Sequence, residues 1–152
     1  IAPGAVVAAD VADGGVTTAK LADNAVTTAK ITDANITAAK LASVNFAGNT
    51  LTDTSNTGSV TLDFATNQNF VLTLTGNVTL ANPTTEAVGQ SGFIVFIQDS
   101  TGSRTVSLGT DYETVGGSGL TLSTTASTTD VVPYIVVASS RILLGTPQLA
   151  FS

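Results

Sequence analysis

Apolar residues recur at every fifth position through the first part of the chain: Ile1, Val6, Val11, Val16, Leu21, Val26, Ile31, Ile36 and Leu41, with Phe46 and Leu51 keeping the step. The step lies inside a ten-residue repeat, VADGGVTTAK at 11–20, LADNAVTTAK at 21–30 and ITDANITAAK at 31–40. Residues 1–10 read as a degenerate earlier copy, with Asp10 where the others carry Lys20, Lys30 and Lys40. A step of five fits neither the helical period of about 3.6 nor the strand period of about 2, so each unit must change conformation within itself. Thr17, Thr27 and Thr37 are expected to N-cap one-turn helices over TAKLA, TAKIT and AAKLA. Asp-Gly-Gly, Asp-Asn-Ala and Asp-Ala-Asn read as turns, because Asp and Asn bond their own backbone and Gly and Asn accept positive φ. Two modest apolar side chains per unit cannot offset the entropy of ordering ten residues. The missing burial is expected from copies of the chain around a common axis, with Val6, Val11, Val16, Leu21, Val26, Ile31, Ile36 and Leu41 pointing inward. A low-complexity linker is the plainer alternative, and the strict apolar step argues against it.

From about Val44 the pattern changes, which divides the chain into a repeat stem at 1–43 and a β domain at 44–152. Val60, Leu62 and Phe64 alternate with Thr61 and Asp63, and Phe70, Leu72 and Leu74 with Val71 and Thr73, giving strands with one inward face. Gly76-Asn77 reads as a two-residue hairpin turn. Phe93-Ile94-Val95-Phe96-Ile97 is apolar on both faces and predicts a central strand. Asp99 to Gly102 should reverse the chain into a strand over 104–108, and Gly116 to Gly119 should separate strands at 112–115 and 120–122. Two more are expected at 131–137 and 141–144, the first at an edge or with a bulge because Pro133 cannot donate to a ladder. The expected fold is mainly β, an antiparallel sandwich or jelly roll behind a short stem of turns and one-turn helices.

Composition narrows the chemistry. Thr, Val and Ile suit a half-buried sheet, and 152 residues suffice for one ordinary domain with an appendage. With no Cys and no His, disulfides, zinc sites, haem ligation and every Ser-His or Cys-His relay are excluded within the chain. A net charge of −6 with five Lys and Arg argues against nucleic-acid partners. No apolar run approaches the roughly 18 residues of a membrane span, so no membrane insertion is expected. Ile1 is not an initiator Met, which suggests a cut end.

Candidate sites are few. Asp111 and Glu113 share one face of a strand and could form a glycosidase-like pair, but no pattern indicates a cleft between them. Asp53, Ser55 and Thr57 before Gly58 resemble a calcium loop faintly, with Phe64 where a bidentate Glu belongs. Gly116 to Gly119 lacks the Lys-Ser or Lys-Thr of a phosphate cradle. Arg104 should pair with Asp99, and Arg141 with another carboxylate. No catalytic residue, metal or cofactor is expected. Contact chemistry is left to loops, chiefly Asp99, Thr101 and Arg104 in one and Asp111, Tyr112, Gly116, Gly117 and Ser118 in the next.

The repeat VTTAKLADNAVTTAKITDANITAAKLA resembles those of tailed-bacteriophage fibre proteins, and the stretch from Gly92 to Val137 is similar to knob domains that end such fibres and head spikes. That resemblance implies a homotrimer on the outer surface of a virion, partnered by other virion proteins and by host cell-surface glycan. It fits a tail fibre and a head fibre or capsid decoration alike. It also makes the sequons at Asn35 and Asn77 irrelevant. A pentapeptide-repeat solenoid, which Asn45-Phe46-Ala47-Gly48 resembles locally, is opposed by Lys20, Lys30 and Lys40, which stand where that family prefers Asp or Asn. In other functional classes, a carbohydrate-binding module has only Tyr112 and Tyr134, and no Trp, as large polar platforms, and a hydrolase would have carboxylates alone.

Overall fold

A computed structural model of the chain describes residues 8–31, 35 and 48–152. Its contacts divide it into Ile1–Asn45 and Phe46–Ser152.

In the first unit the repeat is built from two kinds of turn. The Gly15 N–H donates to Ala12 O at 2.7 Å, and in the next copy the Ala25 N–H donates to Ala22 O at 2.9 Å. The third residue of each of these two turns has positive φ, Gly14 at 71° and Asn24 at 61°, a conformation that Gly and Asn accept readily. An extended step leads into the short 3-10 turns Thr18–Lys20 and Thr28–Lys30. The lysine ends each turn by folding back, Lys20 Nζ donating to Gly15 O at 2.8 Å and Lys30 Nζ to Ala25 O at 2.7 Å. This corrects the expected capping: Thr17 stands at the cap position with extended backbone and makes no side-chain cap bond. A 3-10 turn bonds its amides at i−3, as Lys20 N does to Thr17 O at 2.9 Å, so the backbone closes the turn itself. Thr37, Val6, Ile36, Leu41 and the turn at 32–34 lie outside the described residues.

The second unit is mainly β, as expected. Its strands are β1 (Thr50–Thr61), β2 (Asn69–Ala81), β3 (Ser91–Gln98), β4 (Val106–Leu108), β5 (Tyr112–Glu113), β6 (Thr129–Ala138), β7 (Arg141–Leu144) and β8 (Gln148–Phe151). They form one sheet in the order β1-β2-β3-β6-β7-β5, with β4 beside β2 and β8 beside β6. The antiparallel expectation holds for β3 with β6 and for β6 with β7 and β8, but β1, β2 and β3 run parallel, as do β2 with β4 and β5 with β7. Alternation fixes which face a side chain takes and says nothing about strand direction.

The parallel pairs force the sheet to curl. Thr50 pairs with Asn69 and Thr61 with Ala81, so the chain must return along β1 within the eight steps from Thr61 to Asn69. Eight steps reach about 28 Å at most, whereas a straight strand of that length is about 36 Å. Both strands therefore bend. In β1 the bend falls at irregularities between Asp53 and Gly58, and in β2 at Thr75 to Asn77, where its partner changes from β3 to β4. Gly76-Asn77 is thus a corner inside a strand and not a hairpin. Neither residue has the positive φ such a hairpin requires, and Gly76 is needed because a Cβ would collide with Thr57.

Pro133 lies in an interior strand, not at an edge, and that strand carries irregularities, the other alternative expected, between Thr129 and Val131 and between Val136 and Ala138. Pro133 pairs with Phe93 on one side. On the other its carbonyl accepts from Gly145 N at 2.8 Å, in the link between β7 and β8. The missing donor therefore faces a gap between two ladders. The segment expected as a strand at 120–122 is irregular, although Leu120 and Leu122 pack on the core.

Inside the curl, Leu62, Phe70, Leu72, Leu74, Leu80, Ile94, Val132 and Ile142 are fully buried. Phe64, Phe70 and Tyr134 form an aromatic triangle with ring centroids 5.0, 5.3 and 6.4 Å apart, and Tyr134 Oη donates to Gln68 O at 2.6 Å. Burial pushes the Tyr134 phenol up to about 12. It pushes Tyr112 further, helped by the charges of Glu86 and Asp111. An unfolded tyrosine ionises near pH 10, so the folded state holds these protons more tightly. Their stabilising contribution is complete below about pH 10 and is lost as pH rises through about 12. Tyrosinate absorbance is expected to rise together with loss of the β circular dichroism signal; both tyrosines titrating near pH 10 in a folded protein would contradict this burial.

Candidate functional site

The loop between β3 and β4 does not reverse the chain as expected: β3 and β4 both run parallel to β2, one along each half of it, so the loop carries the chain past the corner of the sheet. It is fixed by its own polar groups. Asp99 Oδ1 accepts from Thr101 N at 3.0 Å and Gly102 N at 2.9 Å, and Asp99 Oδ2 accepts from Arg104 at 2.8 Å. The guanidinium first, and these amides with it, hold the Asp99 carboxyl below its usual range. Gln98, buried at the end of β3, completes the loop by accepting from Arg104 N at 2.8 Å and donating to Arg104 O at 2.9 Å. The expected Asp99–Arg104 pair is therefore present. Both groups serve the loop, and Thr101 is left exposed. Gly102 is buried at φ 74°, and a Cβ there would meet Thr124 O at 2.5 Å and Ala126 N at 2.8 Å. Gly102→Ala is expected to cost about 2 kcal/mol or more. Gly116→Ala, also at positive φ but with open space around the added carbon, should cost only about 1 kcal/mol. Urea midpoints of the two variants check the ranking, and equal midpoints would refute it.

The second predicted loop divides into buried and exposed parts. Tyr112, expected at the contact surface, is instead buried in β5. Alternation turns it inward while Glu113 turns outward, and Glu113 takes a two-point bond from Arg141, at 2.8 and 3.1 Å. Arg141 lowers the Glu113 pKa, opposite to what a general acid needs. Asp111 is placed by its backbone, its N–H donating to Asn82 Oδ1 at 3.1 Å and its carbonyl accepting from Ile142 N at 2.7 Å. Beyond them Val115, Gly116, Gly117 and Ser118 are exposed around the 3-10 turn Val115–Gly117. A shallow cleft of about 250 Å³ opens there, lined by Val115, Leu120, Pro147 and Leu149 among others.

The remaining motifs are structural in what they touch. Asp53 Oδ1 accepts from Ser55 N at 3.0 Å within β1, which makes the calcium-like run a turn in a bent edge strand. The sequon residue Asn77 accepts from Thr105 N at 3.1 Å through its side-chain oxygen. In the stem, Val11, Val16, Leu21, Val26 and Ile31 are each between 39% and 56% exposed in the single chain.

One feature is absent from the sequence reading: Asp130 is buried on β6 and accepts three bonds, from Ser123 N at 2.6 Å, Ser123 Oγ at 2.7 Å and Ala150 N at 2.8 Å. Its only sequence signal was an acidic residue at an inward position of a run of Val. A family model described as "Putative phage tail fibre C-terminal domain" matches residues 57–138, more than half of the chain, from the second half of β1 to the end of β6. No curated protein and no solved structure matches it.

Proposed function

Because this chain belongs to the phage tail fibre C-terminal domain family, and so is a structural component of a virion fibre, we propose that it works as a self-assembled fibre end. Three copies wind along the repeat stem, and three β domains stand on the outer surface of the particle and contact the host. The observation that carries this reading is the stem: five apolar side chains at a constant step, on a regular backbone, all exposed to water in the single chain. Such a segment gains its order by packing on copies of itself. The number three follows the fibre resemblance.

The contact surface in this reading is the exposed loop from Val115 to Gly119 together with Thr101 of the first loop, and the host group is a cell-surface glycan. Weak contacts there are multiplied by trimeric display and by many copies on a particle. The reading includes no catalytic step and no cofactor: Glu113, one member of the carboxylate pair, is committed to Arg141. Between a tail fibre and a capsid decoration, the family description favours the former. Two measurements test the proposal. The mass of the full chain in solution should be that of a trimer, and phage with the Gly116–Gly119 loop shortened should adsorb poorly. A monomer, or unchanged adsorption with less stable particles, would count against it, the second outcome in favour of decoration.

A further inference from the structure

The side of the sheet that faces away from the core is apolar, and none of the described residues covers it. Alternation turns Phe93, Val95 and Ile97 of β3 opposite to the buried Ile94, Phe96 and Gln98. The register places Val131 of β6 beside Val95, and Phe151 of β8 beside Thr129, which itself pairs with Ile97. Ile135 continues the row along β6. Phe93, Ile135 and Phe151 are 49%, 44% and 50% exposed, well beyond the scattered apolar residues that a water-facing sheet tolerates. Among the described residues of β2, β3, β6 and β8, no charged side chain lies on this side; the Asp99–Arg104 pair stands just past the end of β3, two residues after Ile97, and the Glu113–Arg141 pair at the β5–β7 margin. The patch thus has an apolar centre and a polar rim, as protein interfaces do.

Its lack of charge selects the partner. With a net charge of −6, identical copies repel one another over most of their surface, and an uncharged face lets them meet without opposing carboxylates. Size sets a further condition. Strands about 4.8 Å apart and some seven residues long make a face of roughly 20 by 20 Å, on the order of 400 Å². That is about half of what one partner contributes to a stable interface. The face is too small to hold free β domains together, and large enough once a stem has gathered them.

We propose that this outer sheet face is the contact between the β domains of identical copies. The proposal rests on the self-assembly described above and adds which face meets which partner. The chain has no cysteine, so one introduced thiol is a unique probe. Phe93→Cys in the full chain is compared with Val115→Cys, which is 79% exposed on the loop. Under mild oxidation both share the tethering of the stem, and only the first is held face to face. Disulfide-linked dimers of Phe93→Cys should form on the order of tenfold faster. Ile135→Cys supplies the same readout should Phe93→Cys fail to fold. Mass measurement on the same samples separates the two levels of the claim. Assembled chains in which the face cysteines link no faster than Val115→Cys would overturn this interface and leave self-assembly intact. A monomeric full chain would remove both.

Discussion

Asp130→Ala should lower the stability of the β domain by about 3 to 5 kcal/mol, seen as a shifted urea midpoint. The carboxylate is 1% exposed, and among the described residues no cation pairs with it. Its worth lies in the donors it satisfies. Removing it strands two backbone N–H groups, of Ser123 and Ala150, and one hydroxyl, at about 1 to 3 kcal/mol for each that water does not reach. The bond to Ala150 is also the inward anchor of β8, whose four side chains are all exposed and contribute little burial of their own. Amide exchange should therefore accelerate first at Ala150 and through β8. Asp130→Asn keeps the shape but turns an NH2 group toward a donor, and should fall between the wild type and the alanine variant. A loss under about 1 kcal/mol for Asp130→Ala would show that the three donors find other partners.

Val16→Asp combined with Val26→Asp should abolish assembly of the full chain while leaving the β domain folded. Both valines are 56% exposed in the single chain and sit one repeat apart. In an assembly that buries them, each copy would carry two unpaired carboxylates into an apolar axis. That costs at least about 4 kcal/mol, or roughly a thousandfold in association. Sedimentation should give the monomer mass, and the thermal transition of the β domain should stay cooperative. An unchanged oligomer would mean that the apolar step faces outward and that assembly comes from elsewhere.

Much of this is legible in the sequence. The ten-residue period gave the turns with Gly14 and Asn24 at their third position, because few residues accept that φ. Alternation gives the inward face of β2 at Phe70, Leu72 and Leu74, and the expected Asp99–Arg104 pair is present. What the pattern could not carry was direction and partner. Gly76-Asn77 reads as a hairpin where one bent strand lies, since a Gly marks a corner inside a strand as readily as a turn between two. The run from Phe93 to Ile97, apolar on both faces, is the central strand expected, between β2 and β6, but its pattern does not tell which face the described residues cover. Tyr112 looked like a surface aromatic because it follows Asp111 and precedes a glycine run, and only its two-residue pairing with β7 turned it inward.

The sameness of the stem's turns has a further consequence. Successive copies close with hydrogen bonds of nearly identical length and latch through equivalent lysines, so sliding one chain past another by ten residues would restore almost every contact. A stem of this kind stabilises alignment without defining it, and out-of-phase bundles with frayed ends would compete with the correct one. The phase must then be dictated by a part of the molecule that does not repeat. In this chain that part is the β domain, so winding would begin at the C-terminal end and zip toward Ile1.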